Sequence, residues 1–156
     1  MTRATQLLTK ADYRRLAAFR AALRQFLAFS EGAARAVGLA PQQHQALLAI
    51  KGHPNGGRVS IGDLAVSLGI RPNTAVELAD RLVAAGLVRR SGSPDDGRRV
   101  LLALTAKAER LLADLSGAHL EELRRMAPML ADLLAGLRGS PEPAPPAAAG
   151  DGDDAG

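Results

Sequence analysis

The sequence contains no cysteine among its 156 residues. This absence excludes disulfide frameworks, thiolate zinc sites, cysteine nucleophiles and thiol-based peroxide sensing. Aromatic residues make up only 3 % of the chain, whereas hydrophobic residues make up 47 %. The apolar content is therefore mainly Ala, Leu and Val, which suits closely packed helices better than sheets. We expect a mostly α fold.

Long apolar runs are also missing, since no stretch approaches the roughly 20 residues that a membrane-spanning helix needs. Residues 1–10 lack the basic-then-apolar layout of a secretory signal, which favours a cytoplasmic location without a membrane partner. The sequence has no G-x-S-x-G elbow, no H-E-x-x-H motif and no phosphate-binding loop. We therefore expect no enzymatic activity, no catalytic residue and no cofactor.

Acidic residues are sparse in the first 138 residues, because four of the sixteen acids follow residue 138. The whole chain carries a formal charge of +4, and residues 1–138 carry +8. Seventeen of the twenty cations are Arg, whose planar guanidinium suits phosphate and guanine. Double-stranded DNA is the partner class that this charge favours. Residues 139–156, rich in Pro, Ala, Gly and Asp, are predicted to be a disordered acidic tail.

Two long amphipathic helices are predicted at the ends of the folded part. The first carries a stripe at spacings of three and four, formed by Leu16, Phe19, Leu23, Phe26, Ser30, Ala33 and Val37. Thr9 and Asp12 form a plausible capping box at its start, and Gly38 a plausible stop. The second stripe is Leu112, Leu115, His119, Leu123, Met126, Leu130, Leu133 and Leu137, and Pro128 is predicted to kink or split that helix.

Each stripe is long for so small a domain, and the short segments between them cannot cover both. We expect residues 9–38 and 105–138 to form a helical scaffold that pairs with a second copy, giving a homodimer. An intrachain helical bundle without a dimer is the alternative.

The middle of the chain, residues 39–104, reads as a set of short elements. A helix is predicted from Pro41 to Lys51, a second begins at Ser60 and stops at Gly69, and a third runs from Pro72 to about Ala85. Small Ala65 at the approach of the last two, with Leu64, Leu68, Ile70 and Leu78 facing inward, indicates a helix-turn-helix.

Two β-compatible runs then flank a turn cluster of Ser, Gly, Pro and Asp at residues 91–97. A helix-turn-helix followed by a basic hairpin is a winged helix. The fold class is therefore mostly α with a small β-hairpin wing, as a winged helix-turn-helix domain between two scaffold helices.

The run G-L-V-R-R at residues 86–90, D-G-R at 96–98 and the closing L-T at 104–105 resemble the MarR family of bacterial winged helix-turn-helix regulators. The resemblance covers about residues 9–137. It implies that Asp96 pairs with Arg90 to support the wing, and that Arg98 enters the minor groove of DNA. Arg99 is then a phosphate contact or, equally well, an ordinary surface charge.

On the third helix, the residues expected to face DNA are Pro72, Asn73, Thr74, Val76 and Glu77, with Arg71 and Arg81 available for phosphates. Val76 departs from the hydroxyl residue common in the family. Glu77 is unusual on a face meant for a polyanion, and it either accepts from a cytosine amine or turns aside to Arg81.

In the resembled family, small anionic or phenolic ligands often bind between scaffold and winged domain and shift the separation of the recognition helices. The candidate lining residues here are Phe26, Phe29, His44, Leu48 and His119. With so few polar groups, the effector is expected to be a small aromatic or apolar compound. A core or interface role is the simpler interpretation of each histidine, and no metal site is expected because His119, Glu121 and Glu122 cannot converge from their helical spacing.

These features predict a homodimeric, ligand-responsive transcriptional regulator, a repressor rather than an activator, that binds a pseudo-palindromic operator. The alternative is a winged-helix module that binds another protein and has no specific affinity for DNA. A steep fall of DNA affinity with salt distinguishes the first from the second.

Overall fold

The computed structural model describes residues 8–138, and this part of the chain contains five helices and three strands. The helices are α1 (Lys10–Ala36), α2 (Pro41–Lys51), α3 (Ile61–Leu68), α4 (Pro72–Ala84) and α5 (Ala106–Arg138), and the strands are β1 (Val59–Ser60), β2 (Val88–Gly92) and β3 (Val100–Leu104). The predicted mostly α fold with a hairpin wing is confirmed. The acidic tail predicted for residues 139–156 lies outside the described residues.

Side chains just before α1 and α3 cap these helices. The backbone N–H of Asp12 donates to the Thr9 hydroxyl at 3.2 Å, and Thr9 N–H donates back to the Asp12 carboxylate at 2.8 Å. Ser60 and Asp63 repeat this reciprocal pair at α3, and in both boxes the hydrogen bonds lower the pKa of the carboxyl group. Such boxes satisfy amide groups that a helix start leaves free, so the predicted helix starts are confirmed.

Three helices end in the same hydrogen-bonded turn, in which a glycine adopts positive φ. At the end of α3, Gly69 has φ +63° and the N–H of Ile70 donates to the Ala65 carbonyl at 3.0 Å. Equivalent bonds join Leu39 to Ala34 after α1 and Leu87 to Leu82 after α4. This is the Schellman arrangement, which reverses the chain and returns the apolar residue that follows toward the helix.

The three strands form one antiparallel sheet in the order β1-β3-β2. In the predicted hairpin, Val88 lies opposite Leu104 and Gly92 lies opposite Val100. Strand β1 was not predicted, because two residues carry no periodicity. It forms because Val59 pairs with Leu102, and both of these side chains are buried.

The core joins the winged domain, residues 39–104, to the scaffold helices. Its largest fully buried side chains include Leu47 and Ile50 of α2 and Leu78 and Leu82 of α4. Helix α2 contacts α1, α3, β3 and α5 and therefore bridges the two parts. Among the residues predicted to face inward, Leu64, Ala65 and Leu78 are buried, and Leu68 and Ile70 are half-buried.

Helices α1 and α5 pack against each other but leave much of their apolar stripes uncovered. Leu16 is 55 % exposed and Leu23 is 44 % exposed on α1, and Leu123 is exposed on α5. Buried positions on these helices are fewer, among them Ala22 on α1 and Leu115 on α5.

Helix α5 runs unbroken through Pro128, so of the two alternatives predicted for this proline, a kink or a split, the split is wrong. Proline removes one backbone donor and strains the preceding turn, and the turns on both sides of it hold this 33-residue helix together. Over residues 8–138, no helix has the length and hydropathy needed to cross a membrane.

Replacing Gly69 by Ala should lower the free energy of unfolding by about 1 kcal/mol, because an L side chain is strained at a left-handed backbone position. Chemical denaturation measures this change. The matched control is Gly62→Ala in the same helix, where an added Cβ meets its nearest atom at 3.7 Å and φ is not positive. Equal losses in the two variants would contradict the assignment.

Candidate nucleic-acid interface and effector cavity

Helix α4 has one buried face and one exposed face. Ala75, Leu78, Ala79 and Leu82 are buried against the core. The opposite face carries the residues predicted to meet DNA, of which Thr74 is half-buried and the others are exposed: Arg71, Pro72, Asn73, Val76, Glu77 and Arg81. The packing of α4 therefore leaves one face of its first two helical turns exposed, and this face is partly polar and partly apolar.

The start of α4 differs from the starts of α1 and α3. Arg71 occupies the cap position but its side chain makes no capping hydrogen bond, and Pro72 follows at the first helical position. The amide groups of the first turn are consequently free of a side-chain acceptor. A helix N-terminus with such free donors, next to an exposed guanidinium, suits a phosphate oxygen.

The tip of the wing is closed by hydrogen bonds of its own. The N–H of Ser93 donates to the Arg99 carbonyl at 2.9 Å, and the N–H of Arg99 donates to the Asp96 carbonyl at 3.0 Å. The Asp96 carboxylate accepts the N–H of Arg98 at 3.0 Å. Asp96 therefore shapes the turn, and the Arg98 side chain extends from it into solvent.

The pairing predicted for Arg90 with Asp96 is not the one observed. Arg90 instead donates to the Asp80 carboxylate on α4. Strand β2 packs against α4, which brings Arg90 beside Asp80, whereas Asp96 is engaged by the backbone of the wing turn. The ion pair therefore joins the wing to the recognition helix.

The remaining charged residues of the interface are less constrained. Arg99 lies 4.0 Å from the Asp63 carboxylate at the start of α3. In the described part of the chain, neither Arg98 nor Arg71 forms an ion pair, and Glu77 and Arg81 do not pair with each other. Arg98 is thus an exposed wing arginine whose charge is not engaged in an ion pair within the described residues.

A cavity of about 450 Å³ lies between the scaffold helices and α2. It is lined by Phe26, Leu27, Ser30, His44, Gln45, Leu48, Ser116, His119, Leu120 and Leu123. Four of the five predicted lining residues are present, and the fifth, Phe29, packs edge-on against the His119 ring with centroids 5.4 Å apart. Ser116 and Leu123 could have been predicted as further lining residues from their helical spacing to His119, since residues three and four apart share a face.

The two histidines of this cavity differ in their hydrogen bonding. His119 contacts the Leu115 carbonyl through Nδ1 at 2.6 Å and the Ser30 hydroxyl through Nε2 at 2.7 Å. The His44 ring lies against it, with centroids 4.8 Å apart, and makes no side-chain hydrogen bond within residues 8–138. Burial first, and the neighbouring His119 second, lower the pKa of His44.

The third histidine lies outside the cavity, and the acidic residues form no metal site with the histidines in the described part of the chain. His53 lies in the turn after α2 and accepts the N–H of Asn55, outside the cavity. Within the described residues no cluster of three or more His, Asp or Glu is arranged to hold a metal ion.

This geometry defines a winged helix-turn-helix with an exposed recognition helix, a basic wing and a two-helix scaffold. Residues 37–99 match the family model described as the MarR family. AbsC from Streptomyces coelicolor, a MarR family transcriptional regulator, is similar with a TM-score of 0.63 and 20 % identity, covering 86 % of this chain and 99 % of that one.

Two ligand-bound structures are also similar. A MarR mutant from E. coli complexed with operator DNA has a TM-score of 0.59 and 20 % identity, covering 77 % of this chain and 88 % of its own. CouR from Rhodococcus jostii RHA1, bound to p-coumaroyl-CoA, has a TM-score of 0.57 and 24 % identity, covering 76 % of this chain and 87 % of its own. No curated protein matches the chain.

Residues 37–99 therefore match the model of the MarR family, and the described chain has the same winged-helix fold as the solved MarR family structures. The resemblance predicted from the wing and strand motifs is confirmed.

The observed ion pair predicts a measurable coupling between Arg90 and Asp80. In a double-mutant cycle of Arg90→Gln and Asp80→Asn, the coupling should be about 0.2–1 kcal/mol, because both side chains are substantially exposed. Urea denaturation of the four proteins measures it. The control cycle of Arg90→Gln with Asp96→Asn should show no coupling, and a larger value there than with Asp80 would refute the assignment.

Proposed function

We propose that the protein is a homodimeric transcriptional regulator that binds a pseudo-palindromic operator and responds to a small ligand, acting as a repressor. Its recognition helix α4 enters the major groove and Arg98 of the wing enters the minor groove. The observation that carries this proposal is the free guanidinium of Arg98 on a hydrogen-bonded wing, next to a recognition helix whose outer face is exposed.

In the major groove, the exposed side chains of α4 match the chemistry of base edges. Asn73 can bind adenine with two hydrogen bonds, and Thr74 and Val76 can contact a thymine methyl group. Glu77 lacks an ion-pair partner in the described part of the chain, which leaves it free to accept from a cytosine amine. Arg71 and Arg81 flank this surface and would bind phosphates.

In the minor groove, Arg98 and Arg99 have different roles. The negative potential of a narrow A·T-rich groove favours an inserted Arg, and Arg98 is free to insert. Arg99 lies close to Asp63 and would contact phosphate only by leaving that carboxylate. We therefore assign the groove contact to Arg98 and a secondary phosphate contact to Arg99.

The dimer is supported by the apolar surface that one chain leaves exposed. Large apolar side chains of α1, including Leu16, Phe19 and Leu23, are exposed along with Leu120 and Leu134 of α5. Leu16, Phe19 and Leu134 lie together on this surface. Exposed apolar surface of this kind marks an interaction site, and a second copy offers the complementary stripe. We divide the chain into a scaffold, residues 9–38 and 105–138, and a winged domain, residues 39–104, with residues 139–156 as an appended acidic tail.

Ligand response is supported by the cavity between α1, α2 and α5, because a ligand there contacts both the scaffold and helix α2 of the winged domain. CouR, of the same fold, is bound to a CoA ester. We infer that a small, largely apolar effector acts here by preferring one arrangement of the dimer. We also propose a cytoplasmic location and no catalytic activity.

Arg98→Ala should weaken binding to a duplex selected for affinity and reduce the slope of log K against log salt by about 1, because one phosphate-neutralising charge is lost. Fluorescence anisotropy at several salt concentrations measures both quantities. The matched control is Arg124→Ala on α5, which removes the same charge far from the wing and should leave the slope unchanged.

A slope unaffected by Arg98→Ala would defeat the minor-groove assignment. Salt-independent and weak affinity of the unmodified protein for every duplex would instead favour the protein-interaction module.

A further inference from the structure

The start of the scaffold helix α5 donates hydrogen bonds to three consecutive carbonyl groups that follow the recognition helix. The Lys107 ammonium donates to the Ala85 carbonyl at 3.1 Å. The Thr105 hydroxyl donates to the Gly86 carbonyl at 2.7 Å, and the Thr105 N–H donates to the Leu87 carbonyl at 3.0 Å. Carbonyl groups at and beyond the end of a helix have no donor within that helix. At the end of α4, the scaffold supplies these donors.

A second contact joins the same turn of α5 to helix α2. Glu109 lies in the first turn of α5, and Lys51 is the last residue of α2. The Lys51 ammonium lies 2.9 Å from one carboxylate oxygen of Glu109 and 2.8 Å from the other. Because α2 and α4 both belong to the winged domain, one turn of the scaffold holds two different helices of that domain.

The two contacts lie on opposite sides of a buried residue. Ala108 stands between Lys107 and Glu109 in the sequence and is fully buried in the core. Consecutive residues of an α-helix are rotated by about 100° around its axis. Lys107 and Glu109 therefore leave α5 on either side of Ala108, so that they restrain tilting of α5 about this residue in opposite directions.

These contacts are exposed, whereas the packing that joins the two parts is buried. Lys107 is exposed, and the side chains of Lys51 and Glu109 are 54 % and 43 % exposed. Exposed ion pairs add little to the free energy of unfolding. Ala108 and Leu112 belong to the buried core and hold α5 to the winged domain. The exposed contacts are accordingly placed to fix an angle, and the core to hold the fold together.

We propose that Lys107 and Glu109 form a clamp that fixes the angle between the winged domain and the scaffold, and thereby the separation of the two recognition helices in the dimer. Both are positioning residues, since they act on DNA through α4 and α2. A fixed joint binds two half-sites without a further ordering cost, but only at one spacing. The role in spacing rests on the proposed function, whereas the clamp within one chain does not require DNA.

The first test measures the joint within one chain and without DNA. Because the sequence has no cysteine, spin labels attach only to Val76→Cys on α4 and Glu121→Cys on α5, two exposed positions. Double electron–electron resonance, with an excess of unlabelled chain, records the distance between the two labels of one chain. Lys107→Met removes the donor to Ala85 and should broaden this distance distribution. Urea denaturation checks that the variant is folded.

The second test compares a duplex selected for affinity with the same duplex carrying one base pair inserted between the half-sites. The insertion rotates one half-site relative to the other by about 34°. The unmodified protein should bind the inserted duplex about tenfold more weakly, because the DNA must be deformed to fit a fixed spacing. Fluorescence anisotropy measures both affinities.

Lys107→Met should weaken binding to the selected duplex about fivefold, the effect of losing about one hydrogen bond. It should weaken binding to the inserted duplex less, so that the ratio of the two affinities falls toward about two. The matched control is Arg110→Met, which removes the same charge one turn further along α5. This control should change both affinities by the same factor and leave the ratio as it is.

If Lys107→Met fails to fold, Glu109→Gln replaces it in both measurements, because it removes the ion pair with Lys51 on the other side of Ala108. An unchanged distance distribution in a folded variant would overturn the clamp, whatever the protein does with DNA. A broader distribution with an unchanged affinity ratio would overturn its role in spacing. A broader distribution in a protein that binds no duplex supports the clamp and removes the proposed function.

Discussion

Glycine turns at the ends of α1, α3 and α4 set the direction in which the chain leaves each helix. Each uses a residue at positive φ to bring the next apolar side chain back to the helix it has just left. Leu39 and Leu87 are buried in this way, and Ile70 is half-buried. The turns fix where α2, α4 and the wing begin, so the exposed face of the recognition helix follows from them.

Helix α2 lines the cavity and also packs in the core of the winged domain. Leu47 and Ile50 anchor it in the core that α4 and the sheet share, while His44, about one turn earlier, lies against His119 of the scaffold. A ligand in this cavity would therefore contact a short helix that touches both parts. Because such a ligand acts only through its different affinity for two arrangements, a bridging helix is an effective place for it to bind.

Elements specified by neighbouring residues could be predicted from the sequence. Thr9 with Asp12 and Ser60 with Asp63 are local hydrogen-bonding pairs, and Gly38 and Gly69 end helices through their own backbone freedom. These signals lie within a few residues of the feature they determine, which is why the helix starts and stops were predicted correctly.

Features that depend on packing between distant segments could not be predicted in the same way. Strand β1 exists only because Val59 meets β3, and its two residues have no pattern of their own. The ion-pair partner predicted for Arg90 was wrong, because the packing of β2 on α4 brings Arg90 to Asp80 rather than to Asp96. The cavity beside His44 likewise forms only when α1, α2 and α5 are brought together.

We propose that two copies of this winged helix hold their α4 helices one turn of DNA apart. Selection of bound duplexes from a random pool, followed by hydroxyl-radical footprinting of the enriched sequence, measures this most directly. We expect an inverted repeat with two protected half-sites about 10 base pairs apart, centre to centre. Enrichment of no sequence, or protection of a single half-site by one subunit, would contradict it.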